Sequence, residues 1–269
     1  MSPVAHSLAP LQDDSPSSDP ALRQVPAVTR AAAVLRLLGR SPEPLGVNAI
    51  ARALDIIPST CLHILRALVA EELVAFDPAT KRYSLDAGIL SLARNLLRQE
   101  RLGRSVQPVL DQIAERHGVT ALGVRSIGLA HMIVVAVSRS PSSIHLHTDV
   151  GGRFPALISA TGRCLAAFGG HGAEAIRNRF HELRWDNPPS LAAWLDEVEE
   201  TARQGYAVDA GRYIRGVTIV AAPVLDEQRR MTHSIVALAV HEQIAHGLKS
   251  LIADVRKAAD AASENAPDD

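Results

Sequence analysis

Residues 47–85 constrain this chain more than any other stretch. They hold a short amphipathic helix, a tight turn, a second helix opening Pro58-Ser59-Thr60, and a small hairpin pattern ending Tyr83-Ser84-Leu85. That order predicts a winged helix-turn-helix. Val47, Ile50, Ala51 and Leu54 recur at i, i+3, i+4 and i+7, the spacing of one buried helical face. Asp55-Ile56-Ile57 forms the turn. Pro58 suits a first helical position because it has no N–H to leave unpaired, and Ser59 and Thr60 can bond the exposed amides there. In this second helix Leu62, Leu65, Leu68 and Val69 are expected to face inward, which leaves Ser59, Thr60, His63, Arg66, Ala67 and Ala70 outward. Hydroxyls at the start, an imidazole next and a guanidinium one turn later fit a helix laid in a DNA major groove. The hairpin pairs residues 73–76 with 82–85 around an Asp77-Pro78 turn, and Lys81 and Arg82 return from it where a phosphate backbone would run.

Charge agrees with that placement. The net charge of −1 divides into −3 over residues 1–22, +5 over 23–104 (12 basic and 7 acidic side chains) and −3 over the rest. A positive segment that coincides with a helix-turn-helix is what counterion release from DNA exploits. With 269 residues, 47% of them hydrophobic, the chain can build two compact domains. Cys61 and Cys164 match no metal or redox spacing, so both read as reduced core thiols of a cytoplasmic protein. Residues 1–24 are rich in Pro, Ser and Asp and read as a disordered tail, as do 263–269. The longest apolar runs, such as 133–137 and 217–225, are too short to span a membrane.

Along the chain, residues 28–38 predict a first helix with Val34, Leu35, Leu37 and Leu38 inward and Arg30 and Arg36 outward, Arg30 joining the candidate DNA contacts. Ser41-Pro42-Glu43-Pro44 breaks it. Residues 86–102 read helical, with an apolar side of Ile89, Leu90, Leu92, Ala93, Leu96 and Leu97 that needs a partner, most simply the same helix of a second subunit. Gly103 is expected to punctuate that helix, and 106–116 to resume it. Strands are expected at 120–125, 131–137, 143–147, 206–210, 217–224 and 234–240, and helices at 162–168, 173–180, 190–204 and 243–262. This pattern predicts an α+β sensor domain. The domain expectation is therefore a tail over 1–24, a DNA-binding head over 25–86, a linking helix over 87–102 and a ligand domain over 103–262.

Together these parts resemble the isocitrate lyase regulator (IclR) family of bacterial transcription factors. The resemblance rests on Arg30 to Leu38, Ala49-Ile50-Ala51, Pro58 to Leu65 and Tyr83-Ser84-Leu85 in the first half. In the second half it rests on Val150-Gly151-Gly152-Arg153-Phe154-Pro155, Ala160-Thr161-Gly162-Arg163-Cys164-Leu165-Ala166, Gly205-Tyr206-Ala207-Val208-Asp209 and Gly216 through Val224. It implies a homodimer or dimer of dimers on a palindromic double-stranded operator, with a small-molecule effector held in a GAF-like C-terminal domain and no resident cofactor. Carried over position by position, the effector site comprises Ala160, Thr161, Gly162, Asp209, Ala210, Val217 and Ile219, with Leu146 and Phe154 as apolar walls. Members of the family that bind small oxo-acids resemble one another in a carboxylate at the position of Ala210 and a thiol at that of Ile219, so the pocket here is expected to be more apolar. Its effector is expected to be an organic acid with a ring or a longer carbon skeleton, its carboxylate on the amides of Thr161, Gly162 and Arg163 at a helix start. A metal-dependent enzyme using His145, His147 and His131 is a rival reading, although no Asp, Glu or Cys stands beside them at ligand spacing. A sensor or scaffold that does not bind DNA is another.

Overall fold

The computed structural model describes residues 25–99, 101–140, 148–244 and 246–264. The predicted tail over 1–24, and the strand over 143–147 with Leu146 and the histidines at 145 and 147, lie outside the described residues. The described chain forms two compact units, one ending at Gln99 and the other taking up the chain from residue 100 onward.

The first unit is a winged helix-turn-helix. Helix α1 (Pro26–Arg40) starts with proline at its first position. The two-residue strand β1 (Leu45–Gly46) leads into α2 (Val47–Ala53), and α3 (Pro58–Ala70) follows the turn. Strands β2 (Val74–Asp77) and β3 (Arg82–Leu85) form the wing, and β1 pairs antiparallel with β3 to give the order β1-β3-β2. Val34 and Leu38 from α1, Ile50 and Ala51 from α2, Cys61, Leu65 and Leu68 from α3, and Val74 and Tyr83 from the wing make one core. Burying each large apolar side chain of this kind contributes about 1.5–3 kcal/mol. The buried stripe of α3 therefore runs Cys61, Leu65, Leu68, and the expectation for Leu62 is corrected. Leu62 lies one step round the helix from that stripe and is only half-buried.

Helix α4 (Gly88–Gln99) closes this unit. It begins where a Cβ on Gly88 would lie 2.2 Å from the Glu72 carbonyl oxygen, so only glycine lets the helix start against that turn. Leu90 and Leu92 stand 64% and 72% exposed on it.

Among the described residues the second unit is a six-stranded antiparallel sheet with helices on both faces. Its strands are β4 (Thr120–Ile127), β5 (His131–Arg139), β6 (Arg153–Pro155), β7 (Ala207–Ala210), β8 (Val217–Leu225) and β9 (Met231–Val240). They are arranged β6-β5-β4-β9-β8-β7. One face is covered by α5 (Arg101–His117), the short α9 (His241–Ile244) and α10 (Leu248–Glu264). Its core joins Val106, Leu110 and Ile113 to Val220, Ala222, Val224, Ile235 and Val255. The other face is covered by α6 (Ser159–Phe168), α7 (Ala173–Phe180) and α8 (Leu191–Gln204). Here Leu122, Val124, Val217, Ile219 and Leu238 meet Ala160, Leu165, Ile176, Phe180 and Trp194.

Several boundaries differ from expectation. Helix α5 runs through Gly103 and contains Pro108, because its buried stripe of Val106, Leu110, Ile113 and Ala114 outweighs local propensity. The C-terminal helix is split into α9 and α10, the Gly247 N–H turning back to the Ile244 carbonyl at 2.9 Å. Helix α10 also continues to Glu264, where a tail was expected from 263, and Ser263 Oγ accepts the Leu225 N–H at 2.9 Å. No single helix among the described residues is long and apolar enough to cross a membrane.

Gly162 sets the approach of α6. A Cβ there would lie 2.0–2.1 Å from the Leu157 carbonyl group, which is backbone and cannot swing aside. Gly162→Ala should lower stability by about 1–3 kcal/mol, as forced overpacking does. A denaturant titration followed by circular dichroism measures this, and an unchanged midpoint would show that the Leu157 turn yields freely.

Candidate functional site

Two groups of side chains can carry chemistry, one in each unit. In the first unit, Ser59, His63, Arg66, Ala67 and Ala70 form the exposed face of α3, with Thr60 half-buried at its edge and Arg30 exposed on α1. No side chain caps α3, and its first backbone bond is Cys61 N–H to the Ile57 carbonyl at 3.0 Å. The amides ahead of Cys61 therefore point outward without intrahelical acceptors, which suits an anion such as a phosphate.

The wing turn is held by Asp77. One carboxylate oxygen accepts the Thr80 hydroxyl at 2.6 Å and the other the Ala79 N–H at 2.9 Å. These bonds, the hydroxyl's first, keep the Asp77 carboxyl below the usual carboxylate range. Lys81 follows in the left-handed region at φ +55°, exposed. Arg82 is differently placed from Lys81. It donates to the Pro44 carbonyl at 3.1 Å and lies 3.9 Å from Glu43, tying the loop before β1 to the wing.

In the second unit, Phe154, Ala160, Val217 and Ile219 belong to the layer between the sheet and α6–α8, and Thr161 is buried beside them. Asp209 stands opposite Ile219 in the β7–β8 register and is 1% exposed. Its Oδ1 accepts the N–H groups of Arg212 (2.9 Å) and Tyr213 (3.4 Å), which fixes the turn after β7.

Ala210 is not part of this layer. It pairs with Thr218, and because strand side chains alternate it faces away from Val217 and Ile219. It is exposed and lines a cleft of about 310 Å³ with Glu197, Tyr206 and Arg212. Helix α6 also opens three residues earlier than expected. The Gly162 N–H already donates to the Ile158 carbonyl at 2.9 Å, so the open amides at the helix start belong to residues 159–161. Gly162 itself serves close packing against Leu157.

Arg163 is 2% exposed yet charged. Its guanidinium donates to Glu197 at 2.7 Å and to the Val208 carbonyl, and Arg212 pairs with the second oxygen of Glu197. Burial pulls the Arg163 pKa down, opposed by the nearby carboxylates of Glu197 and Asp209. One carboxylate on α8 thus bridges α6 and the turn after β7.

Sequence reasoning missed three aromatic side chains here. Trp194 is fully buried with its ring centroid 5.0 Å from that of Phe180, and Trp185 lies 6.1 Å from the same ring. Tyr213 packs against the same cluster. Burial pushes its hydroxyl up, and the carboxylates of Asp186 and Asp209 push it further. The signal was scarcity. Aromatic residues make up 3% of the chain, yet both tryptophans fall within ten positions of each other.

The comparisons with known proteins agree across the chain. The model of the bacterial transcriptional regulator IclR C-terminal domain matches residues 95–264, and that of the IclR helix-turn-helix domain matches 27–78. The glycerol operon regulatory protein of Streptomyces griseus is 32% identical over 213 residues, covering 77% of this chain and 82% of that protein. An IclR transcriptional regulator from Alicyclobacillus acidocaldarius superimposes with a TM-score of 0.75 at 26% identity, over 91% of this chain and 100% of the other. An IclR homologue from Microbacterium hydrocarbonoxydans, solved as a complex with 4-hydroxybenzoate, shares the fold with a TM-score of 0.73 at 17% identity, over 89% and 98%.

Cys164 offers a direct check on the packing of α6. It is fully buried, and burial pushes its thiol up to about 12. The native chain should therefore leave Cys164 unalkylated by iodoacetamide at pH 8, and unfolding should expose it. Because the unfolded thiol ionises first as pH rises past the ordinary range, stability should also fall between there and pH 12. Rapid labelling of native Cys164, read by mass spectrometry, would contradict this packing.

Proposed function

Because the chain belongs to the IclR family of bacterial transcriptional regulators, which bind DNA and are not enzymes, we propose that it is a cytoplasmic repressor whose operator affinity is set by a small organic acid. The observation that carries the reading is the exposed face of α3, where His63 and Arg66 follow Ser59 and Thr60. His63 and Arg66 read base edges, while Arg30, the α3 amides and Lys81 meet phosphates. Arg82 contributes chiefly by holding the wing, since its guanidinium already serves Pro44. A protein seated on an operator that overlaps a promoter excludes polymerase, which is the simplest route from ligand-released binding to regulation.

The functional division we propose is a head over 25–86, a joining helix over 87–102 and a ligand domain over 103–262. Two subunits meet along α4, where Leu90 and Leu92 are exposed. Covering such side chains is worth about 1.5–3 kcal/mol each. The effector lies in the layer of Phe154, Ala160, Thr161, Val217 and Ile219, its carboxylate near the amides that open α6. The apolar floor of that layer and the likeness to a fold solved with 4-hydroxybenzoate support an acid with a carbon skeleton of some size.

Two sets of variants test the DNA and subunit contacts. His63→Ala or Arg66→Ala should cost about 1–3 kcal/mol at the operator and narrow the gap to random DNA. Lys81→Ala should weaken all DNA alike and reduce the salt slope by about one unit. Equal losses on operator and random duplex for Arg66→Ala, measured by fluorescence anisotropy, would remove Arg66 from base reading. For the subunit contact, Leu92→Glu with Leu96→Glu, four positions apart in the helix, should split the assembly, because two charges at a buried seam are costly. An unchanged mass in light scattering and an unchanged operator affinity would mean that α4 joins nothing.

A further inference from the structure

Buried polar atoms in folded proteins almost always have hydrogen-bond partners. The layer between the sheet and α6–α8 departs from that rule. Ser159 Oγ, Trp185 Nε1, Trp194 Nε1 and Asp209 Oδ2 are all buried there with no partner among the described residues. Three of these side chains are almost wholly enclosed, Ser159 at 3%, Trp194 at 0% and Asp209 at 1% exposure. Ser159 sits at the opening of α6 in the left-handed region, φ +62°. That backbone conformation is uncommon for a residue other than glycine and carries some strain.

The unmet groups are of complementary kinds. An indole N–H only donates, a carboxylate only accepts, and a hydroxyl does both. The charged groups that face Asp209 do not resolve it. Arg163 is turned to Glu197 and Val208, and Arg212 lies against Glu197. The Tyr213 hydroxyl, the other titratable group beside it, is held protonated by its surroundings. A plain carboxylic acid would serve the indoles and meet a like charge at Asp209. A hydrocarbon would serve neither.

Resting on the reading of this layer as the effector site, we propose that the effector is a hydroxyl-bearing acid. Its hydroxyl donates to Asp209 Oδ2, and its acceptor oxygens take the N–H groups of Trp185 and Trp194 and the hydroxyl of Ser159. Asp209 is then the residue that selects hydroxylated acids over their unhydroxylated counterparts. An analogue lacking the hydroxyl leaves the buried acceptor unpaired, and sites built to bond a substrate hydroxyl discriminate strongly for that reason.

The test uses the full chain and matched pairs of probes, 3- and 4-hydroxybenzoate against benzoate, and lactate and glycerate against propionate, titrated by calorimetry. In the wild type, the hydroxylated member of at least one series should bind at least ten-fold more tightly than its counterpart. Asp209→Asn keeps the Oδ1 acceptor that fixes the turn and puts an amide N–H where Oδ2 stood, so that preference should vanish. Trp185→Phe, which removes one donor at a partly exposed position, should weaken both members of the pair, and it decides the matter with the wild-type ratio if Asp209→Asn does not fold. Equal affinity within every pair in the wild type, or a preference that survives Asp209→Asn, overturns the proposal while leaving the effector layer in place. Binding that is unchanged in Thr161→Trp, or absent for every acid, overturns the effector layer itself and this proposal with it.

Discussion

Everything in the second unit follows from one sheet being buried on both faces. An antiparallel strand sends successive side chains to opposite sides, so each residue's layer is fixed by its parity. Strand β8 is buried from Val217 to Val224, its residues divided between the α5–α10 layer and the α6–α8 layer. That division puts Ile219 and Asp209 on one side and Thr218 and Ala210 on the other. The two layers then serve different ends. The first is packed by Val106, Leu110, Ile235, Val255 and similar side chains and gives the unit its stability. The second mixes apolar packing with polar atoms that the fold does not satisfy by itself.

The second layer is held by its apolar core, and Glu197 adds a polar tie across it. It neutralises the buried Arg163 of α6 and the Arg212 of the turn after β7 from its place on α8. Glu197 and Arg212 are each about one-third exposed, so solvent screens their pairing, and only Arg163 would be left as a buried charge if Glu197 were removed. The same contacts link the opening of α6, where Ser159 lies, to the turn that Asp209 fixes through Arg212 and Tyr213. A ligand that bridges Ser159 and Asp209 therefore acts on three elements already tied to one carboxylate.

Much of this was legible in the sequence because periodicity carries it. The helix-turn-helix, the wing and five of the six strands follow from apolar spacing and turn residues. What was not legible depended on long-range contacts. Leu62 and Cys61 differ by one step round a helix, and only packing against α1 and α2 decides between them. Gly103 and Pro108 read as breakers until the sheet gives α5 something to bury against. Of the positions carried over by resemblance, Asp209 and Ile219 share one face of the sheet, and strand parity puts Ala210 on the other. Trp185, Trp194 and Tyr213 lie on segments with no motif, so only the fold brings the two tryptophans beside Phe180 and Tyr213 beside Asp209.

The central claim is that a ligand in the α6–α8 layer and DNA on α3 are thermodynamically linked. Linkage is reciprocal and typically amounts to about 1–3 kcal/mol. The most direct measurement is the affinity of one bound acid for the full chain, free and saturated with operator duplex, set beside the operator affinity with and without that acid. The account predicts that the two ratios are equal and lie between about 5 and 150. Identical acid affinity in the free and the operator-bound protein would contradict it.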